Sequence, residues 1–299
     1  MNSEISIIIP THNRRKYLEE AINSIRNMKE VASEIIVIND RSTDDTQEYL
    51  DILNEELPIK RINNAESAFA HGARKQGLDL VSTKYLVFMD DDDYYVDSMF
   101  FREAVDIMNS NLEISCVFGS TSNVIEQQVQ TPIDLGGSGE IEQRKYINGF
   151  GDIYRKPAST LSAVFRVESL RNTGLFESQM VNDTCIYLYG ILGGHVAVIN
   201  RPVAAYRIHN TNISGTTFKK QFITDCLNEK EVIFQKAKSK QLLDNPSEWE
   251  VKHLCTSLLY FINSSKNKLK TSFQILQWII SKRITILPRM LVWILTNKR

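Results

Sequence analysis

The first 110 residues alternate four times between a short apolar or β-branched run and an amphipathic helical pattern. Predicted strands cover residues 5–9, 34–38, 59–62 and 85–89. Predicted helices cover residues 14–28, 43–53, 67–81 and 96–108. Four strand–helix units with short connections predict an α/β fold, with a mostly parallel sheet flanked by helices and right-handed crossovers.

Polar residues follow each of the four predicted strands. The segments are Pro10-Thr11-His12-Asn13, Asn39-Asp40-Arg41-Ser42, Asn63-Asn64-Ala65-Glu66 and Asp90-Asp91-Asp92-Asp93. Ligands of open α/β sheets bind beyond the carboxyl ends of the strands. The sequence therefore predicts a polar, acidic binding edge.

The alternation weakens after residue 110. We predict a strand at 114–118, a loop or lid at 121–150, a strand at 158–166, a helix at 180–192, strands at 196–199 and 204–208, and helices from 218. This pattern divides the chain into an α/β domain at 1–214 and a helical region at 215–299.

Composition excludes several classes of protein. The 299 residues are 42% hydrophobic and 24% charged, which indicates a globular chain. The four cysteines form no CxxC pair, which argues against a zinc knuckle or a disulfide framework and favours a reducing compartment. The N-terminus has neither signal-peptide nor transit-peptide character, so we expect a cytoplasmic catalytic part.

The acidic run after the fourth strand carries the strongest chemical signal. Four adjacent carboxylates, Asp90 to Asp93, repel one another unless a cation neutralises them. Hard oxygen ligands suit Mg²⁺ or Mn²⁺. The alternative is a solvated acidic helix start, since Asp is favoured at a helix cap.

These motifs, in this order, resemble glycosyltransferase family 2 of the GT-A fold, a group of nucleotide-sugar-dependent enzymes common in bacterial polysaccharide synthesis. The resemblance covers about residues 4–210. It rests on the segments Ile7-Ile8-Ile9-Pro10-Thr11-His12-Asn13-Arg14, Glu34 to Asp44, Ala73-Arg74 and Phe88 to Asp93.

The resemblance implies that 1–214 is a GT-A catalytic domain, with 1–110 as its nucleotide-binding half and 111–214 as its acceptor half. Asp40 would accept a hydrogen bond from the base, usually uracil, and Asp92 would bind the metal. The other implied nucleotide-binding residues are Pro10, Thr11, Asn13, Arg74, Asp90 and Asp91. Two alternatives stay open from the residues alone: Asp40 as a helix cap and Arg74 as a surface ion pair.

The family takes its catalytic base from a Glu-Asp pair after a Gly-x-Phe-x-Glu-like turn. Here Gly174-Leu175-Phe176-Glu177 fits the turn and the pair reads Asn182-Asp183, so the resemblance assigns the base to Asp183. Asn182 cannot take a proton at neutral pH. The alternative role of Asp183 is a plain helix cap.

The segment Tyr206-Arg207-Ile208-His209 resembles another family element. It implies that Arg207 binds the diphosphate and that His209 binds the diphosphate or completes the metal shell. A structural role for His209 is the alternative.

The implied reaction is metal-assisted transfer of a sugar, with inversion, from a UDP-sugar to a hydroxyl of a saccharide or lipid-linked acceptor, using Mn²⁺ or Mg²⁺. A GT-A-like nucleotidyltransferase and a non-catalytic nucleotide-sugar-binding partner subunit are the alternatives. No nucleic-acid partner is expected, because the basic residues are not interleaved with a stacking surface.

The C-terminal tail differs in charge from the rest of the chain. Residues 251–299 contain nine Lys and Arg and no Asp or Glu, so the first 250 residues carry 26 minus 36, or −10. Apolar residues recur at helical spacing through 271–299. A basic amphipathic helix on the inner face of the plasma membrane is one hypothesis, and packing on the catalytic domain or in a homodimer is the other.

Overall fold

The computed structural model describes residues 4–28, 31, 33–57, 59–209 and 220–296. The chain forms two compact units that divide between Ile208 and His209.

The first unit contains a mixed sheet and its flanking helices. The strands are β1 Ile5–Thr11, β2 Ser33–Asn39, β3 Lys60–Asn63, β4 Tyr85–Phe88, β5 Tyr94–Tyr95, β6 Ile114–Ile125, β7 Gln128–Val129, β8 Gly139–Ile141, β9 Ala163–Arg166 and β10 His195–Ile208. The helices are α1 Arg15–Arg26, α2 Thr46–Glu56, α3 Phe69–Leu78, α4 Phe100–Ser110, α5 Gln143–Gly149, α6 Val167–Thr173 and α7 Asp183–Leu192.

The strand order is β3-β2-β1-β4-β9-β6-β10-β5, with β7 beside β6 and β8 beside β10. The first four strands pair in parallel, with Ile8 of β1 opposite both Ile36 of β2 and Phe88 of β4. β6 and β10 also pair in parallel, whereas β9 runs antiparallel to its neighbours β4 and β6. The predicted α/β fold with helices around a central sheet is confirmed.

Three expectations for the second half were wrong. The predicted loop at 121–150 instead continues β6 to Ile125 and includes β7, β8 and α5. The two strands expected at 196–199 and 204–208 form one bulged strand, β10, because Pro202 interrupts the register without ending the pairing with β6. Of the strand expected at 158–166, only Ala163–Arg166 is extended, after a 3-10 turn at Thr160–Ser162.

Helix α3 lies directly against β1. A Cβ atom at Gly77 would come within 2.5 Å of Ile8 Cγ2, so only glycine permits this close approach. On the same helix Ala73 and Leu78 are fully buried. This packing fixes Arg74, one turn earlier, beneath the carboxyl ends of the strands.

The second unit consists, over 220–296, of helices α8 Lys220–Ser239, α9 Pro246–Ser264, α10 Lys268–Lys282 and α11 Leu287–Thr296. Pro246 begins α9 behind an Asn245 cap, and Pro288 lies in the first turn of α11, where a proline is tolerated. Cys255, Leu258, Ile279 and Met290 contribute to its buried core. None of the helices within the described ranges combines the length and apolar character needed to cross a bilayer.

Candidate active site

The loops after β1 and β2 are joined at the predicted binding edge. The amide of Asp40 donates to the carbonyl oxygen of Thr11 at 2.8 Å. Asn13 has a φ of 53°, a conformation that Asn tolerates, and its Oδ1 accepts from the amide of Thr43 at 2.6 Å. The structure thus places Pro10, at the end of β1, and Thr11 at the edge, while Asn13 holds the two loops together.

Asp40 organises the segment before α3. Its Oδ1 accepts from Asn64 Nδ2 at 3.0 Å and the Ala68 amide at 2.7 Å. Its Oδ2 accepts from Ser67 Oγ at 2.7 Å and the Phe69 amide at 3.1 Å. Burial favours the neutral acid, but these four bonds outweigh it and lower the pKa of Asp40. A base that binds Asp40 would therefore have to replace one of these donors.

Arg74 joins the donor half of the site to the acceptor half. It is 3% exposed, so the alternative of a surface ion pair is wrong. Its Nη2 donates to Asp90 Oδ1 at 2.6 Å, and its Nη1 donates to Asp183 Oδ1 at 2.7 Å. One guanidinium therefore connects the end of β4 to the start of α7.

Asp183 is not the cap of its helix. Asn182 takes that position, because its Oδ1 accepts from the Cys185 amide at 3.1 Å. Asp183 is the first helical residue, and its side chain keeps 37% of its surface exposed. Burial raises its pKa, but Arg74 and then Lys156 outweigh this effect, so the pKa of Asp183 is lowered. The carboxylate is thus ionised at neutral pH.

Lys156 is a site residue that the sequence reasoning missed. Its ammonium group donates to the Pro157 carbonyl oxygen at 3.2 Å and lies 5.2 Å from the centre of the Tyr187 ring. Burial lowers the pKa of Lys156, and the nearby charge of Asp183 opposes that effect. Lys156 therefore adds a second positive charge beside the predicted base.

The aspartate turn after β4 is neutralised in part by the protein itself. Arg14 Nη1 lies 3.1 Å from Asp91 Oδ1 and 2.5 Å from Asp92 Oδ2. Burial raises the pKa of Asp91 to about 7, with Asp92 adding to this shift and Arg14 opposing it. For Asp91 and Asp92 the positive partner is thus Arg14, a residue that the sequence reasoning did not single out.

Asp93 is fully buried and anchors the turn to two other elements. It accepts from Ser159 Oγ at 2.5 Å and from the Arg207 amide at 3.0 Å, and its burial raises its pKa well above the ordinary value. The guanidinium of Arg207 donates to the Asp92 carbonyl oxygen at 3.1 Å and lies 4.5 Å from the centre of the Tyr94 ring. Arg207 therefore borders the aspartate turn.

The residues present fit a metal bound jointly with a substrate. Within the ranges that the structure describes, no three His, Cys, Asp or Glu side chains form a metal-binding group. Mg²⁺ and similar ions are often bound by one or two carboxylates plus substrate phosphates. Asp92 meets that requirement. His209, the other predicted ligand, directly follows β10.

Residues 6–166 match the sequence profile of glycosyl transferase family 2. The chain belongs to this family. Its mixed sheet with flanking helices is accordingly the GT-A fold.

Two similar bacterial proteins are named as glycosyltransferases. The chain is 28% identical over 187 residues to the GalNAc(5)-diNAcBac-PP-undecaprenol beta-1,3-glucosyltransferase of Campylobacter jejuni, covering 62% of this chain and 59% of that protein. It is 28% identical over 225 residues to the putative teichuronic acid biosynthesis glycosyltransferase TuaG of Bacillus subtilis, covering 72% and 83%. The match thus spans about three fifths of the first relative's length.

Solved structures share the fold at low sequence identity. TarS 1-349 of S. aureus in complex with UDP-GlcNAc has a TM-score of 0.62 at 13% identity, covering 87% of this chain and 82% of that one. The mannosyltransferase PcManGT of Pyrobaculum calidifontis, in complex with GDP-Man and Mn²⁺, has a TM-score of 0.54 at 15% identity, covering 99% and 81%.

Proposed function

We propose that this family 2 protein transfers a sugar from a UDP-sugar to a hydroxyl group of a saccharide or lipid-linked acceptor, with inversion at the anomeric carbon. The observation that carries the proposal is the shared guanidinium of Arg74, which holds Asp90 and Asp183 at 2.6 and 2.7 Å. A carboxylate for the acceptor and the acidic turn for the donor are therefore held together by one guanidinium. Single displacement requires such an arrangement, because the acceptor hydroxyl attacks the anomeric carbon on the side opposite the departing nucleoside diphosphate.

In this mechanism Asp183 takes the proton of the acceptor hydroxyl. Arg74 fixes its Oδ1, which leaves Oδ2 as the oxygen that receives the proton. The exposed part of the carboxylate lets an acceptor reach it. The lowered pKa keeps Asp183 ionised, and its positive neighbours orient it.

On the donor side, the edge formed by Pro10, Thr11 and Asp40 would receive the nucleoside. Asp92 would hold a divalent cation, with His209 as a further ligand, and Arg207 would bind the diphosphate. When bound, Mn²⁺ or Mg²⁺ supplies positive charge for the departing nucleoside diphosphate. Support for a UDP-sugar and for Mn²⁺ comes from the complexes of fold neighbours named above.

A panel of nucleotide sugars tests the proposal. The purified protein is incubated with each donor, Mn²⁺ and a lipid-linked or oligosaccharide acceptor, and the nucleotide products are separated by chromatography. Sugar transfer with release of UDP is expected. Release of pyrophosphate in a parallel incubation with UTP and a sugar 1-phosphate would instead indicate a nucleotidyltransferase. Binding without turnover of any donor would indicate a non-catalytic subunit.

We also propose that α10 contacts an anionic membrane surface. The exposed apolar residues Leu269, Phe273, Leu276 and Ile280 follow one another at spacings of four, three and four. Such spacing places them on one face, opposite the buried Thr271 and Trp278. The tail carries only positive charges, which match anionic headgroups. The cytoplasmic location of the catalytic unit stays a prediction.

Vesicle sedimentation tests the membrane contact. The full chain should sediment with vesicles containing phosphatidylglycerol and less with pure phosphatidylcholine. The double variant F273S/I280S should lose most of this binding, whereas I52S, which removes an exposed isoleucine from α2, should not. Equal sedimentation of all three proteins, or a dimer that F273S/I280S dissociates in light scattering, would overturn the membrane assignment.

A further inference from the structure

Arg14 occupies the position of a counter-ion at the aspartate turn. Its Nη1 lies 2.5 Å from Asp92 Oδ2 and 3.1 Å from Asp91 Oδ1. The side chains are 19% exposed for Arg14, 9% for Asp92 and 5% for Asp91, so this is a partly buried contact rather than a loose surface pair. Charge-assisted bonds of this kind are short and strong.

The backbone directs Arg14 toward the aspartates. Arg14 immediately precedes α1, with a φ of −140° and a ψ of 39°, outside the helical conformation. The next residue, Arg15, is helical and pairs with Glu19 at 2.9 Å instead. Two adjacent arginines therefore serve different faces, and only the first of them contacts Asp92.

A divalent cation and this guanidinium make competing demands on Asp92. An oxygen ligand of Mg²⁺ lies about 2.0–2.1 Å from the ion, which places the cation beside the carboxylate that Arg14 contacts. Two positive groups held this close on a partly buried carboxylate repel each other. The two partners of Asp92 therefore exclude or weaken one another.

We propose that Arg14 competes with the divalent cation for Asp92, so that the nucleotide-free protein binds the cation weakly. The diphosphate of the donor offers Arg14 another anionic partner and so releases Asp92. Cation and donor binding become coupled through this exchange. The inference rests on the proposed function for the assignment of the cation to Asp92.

Mn²⁺ titration of the nucleotide-free protein, followed by electron paramagnetic resonance of the free ion, tests the competition. R14Q should bind Mn²⁺ at least tenfold more tightly than the wild type. R15Q is the matched control, because it removes the same charge one residue away, and its affinity should stay near that of the wild type. R14M, which keeps the aliphatic stem, is a second variant with the same expectation if R14Q does not fold.

Arg207 gives a further control, since its guanidinium contacts the backbone carbonyl of Asp92 and not the carboxylate in the hydrogen bond described above. If R207Q gains as much Mn²⁺ affinity as R14Q, the gain reflects the general field of the site and the proposal is overturned. Unchanged Mn²⁺ affinity in folded R14Q or R14M also overturns it.

The variant D92N separates this inference from the proposed function. One outcome is that D92N abolishes Mn²⁺ binding in both backgrounds, while the wild type and R14Q, each with Asp92 intact, bind Mn²⁺ equally. In that case the cation binds Asp92 and only the proposed competition by Arg14 is wrong. If R14Q/D92N binds Mn²⁺ as tightly as R14Q, the cation does not bind Asp92 and the proposed metal site is itself wrong. Addition of UDP should raise Mn²⁺ affinity more in the wild type than in R14Q, because R14Q has no counter-ion to release.

Discussion

The guanidinium of Arg74 on α3 donates to the carboxylate of Asp183 on α7 at 2.7 Å, across 109 positions of sequence. The same guanidinium holds Asp90 at the end of β4. Arg74 thereby fixes the separation between the acidic turn and the predicted base. Its replacement should affect stability as well as catalysis.

We expect R74M to lower the free energy of unfolding by about 2 kcal/mol. Removal of one partner from a fully buried ion pair costs about 3–5 kcal/mol, and the partial exposure of Asp90 and Asp183, 34% and 37%, reduces that cost. Urea denaturation at pH 7.5 measures it. R26M, which breaks the exposed pair of Arg26 with Glu56, should cost less than about 1 kcal/mol. Equal losses in the two variants would contradict a bridging role for Arg74.

We expect D183N to reduce kcat by about a thousandfold, the usual scale of a lost general base, with little change in donor affinity. Asn keeps an oxygen that can accept from Arg74, so the fold should persist. N182A is the matched control, since it removes the helix cap and should cost about 1 kcal/mol of stability with a much smaller effect on kcat. Wild-type turnover in D183N, measured with the donor identified by the panel, would exclude Asp183 as the base.

Replacement of Lys156 should change the pH dependence of the reaction. Burial raises the pKa of Asp183, and Arg74 and Lys156 lower it. K156M removes one of the two lowering charges, so the acid limb of the kcat profile should move to higher pH, while K156R should leave it in place. K84M is the control, because Lys84 also lies 5.2 Å from a tyrosine ring, that of Tyr85. A profile unchanged in K156M would show that Lys156 does not influence the base.

Asp91 should make the nucleotide-free protein less stable as pH rises. Its pKa of about 7 in the folded chain lies above the value of about 3.9 for an unfolded Asp. Between these values the folded chain binds the extra proton, so this group's contribution to the free energy of unfolding falls by about 1.4 kcal/mol per pH unit and is lost above pH 7.

Denaturation at pH 4.5, 6 and 8 in the presence of EDTA measures this dependence. D91N has no carboxyl to protonate at this position. Its free energy of unfolding should therefore rise less than that of the wild type between pH 8 and pH 4.5, which gives a flatter pH profile. Profiles that run parallel in the two proteins would be inconsistent with a raised pKa at Asp91.

The regular first half of the chain could be predicted from sequence because each unit carries its own periodicity. All four predicted strands agree with β1 to β4 within two residues at each end. The polar segments after β1, β2 and β4 meet at one edge, as parallel pairing requires. Pairing between distant segments could not be predicted in this way. The extension of β6 and the continuity of β10 depend on the pairing of these two strands with each other, which the sequence of neither strand shows alone.

Two charged residues of the site could not be found from sequence for physical reasons. The sequence does not distinguish Arg14 from the adjacent Arg15. The non-helical backbone of Arg14 determines that this residue contacts Asp92. Lys156 lies in a stretch without periodicity, and its approach to Asp183 depends on the packing of separate elements. By contrast, the juxtaposition of Asp90 with Asp183 agrees with the expectation drawn from family resemblance, although their roles stay predictions.

The four hydrogen bonds that Asp40 accepts have a consequence for choice among nucleobases. Both of its oxygens are occupied by the segment 64–69, which ends in Phe69 at the unusual φ of 55°. A base reaches this carboxylate only by displacing a donor of the chain. Each candidate nucleobase therefore competes with the donors of residues 64–69 for hydrogen bonds to Asp40. Selectivity among nucleobases would then depend on the strength of these internal hydrogen bonds. Substitutions in residues 64–69 could change the preferred nucleotide without direct contact with it.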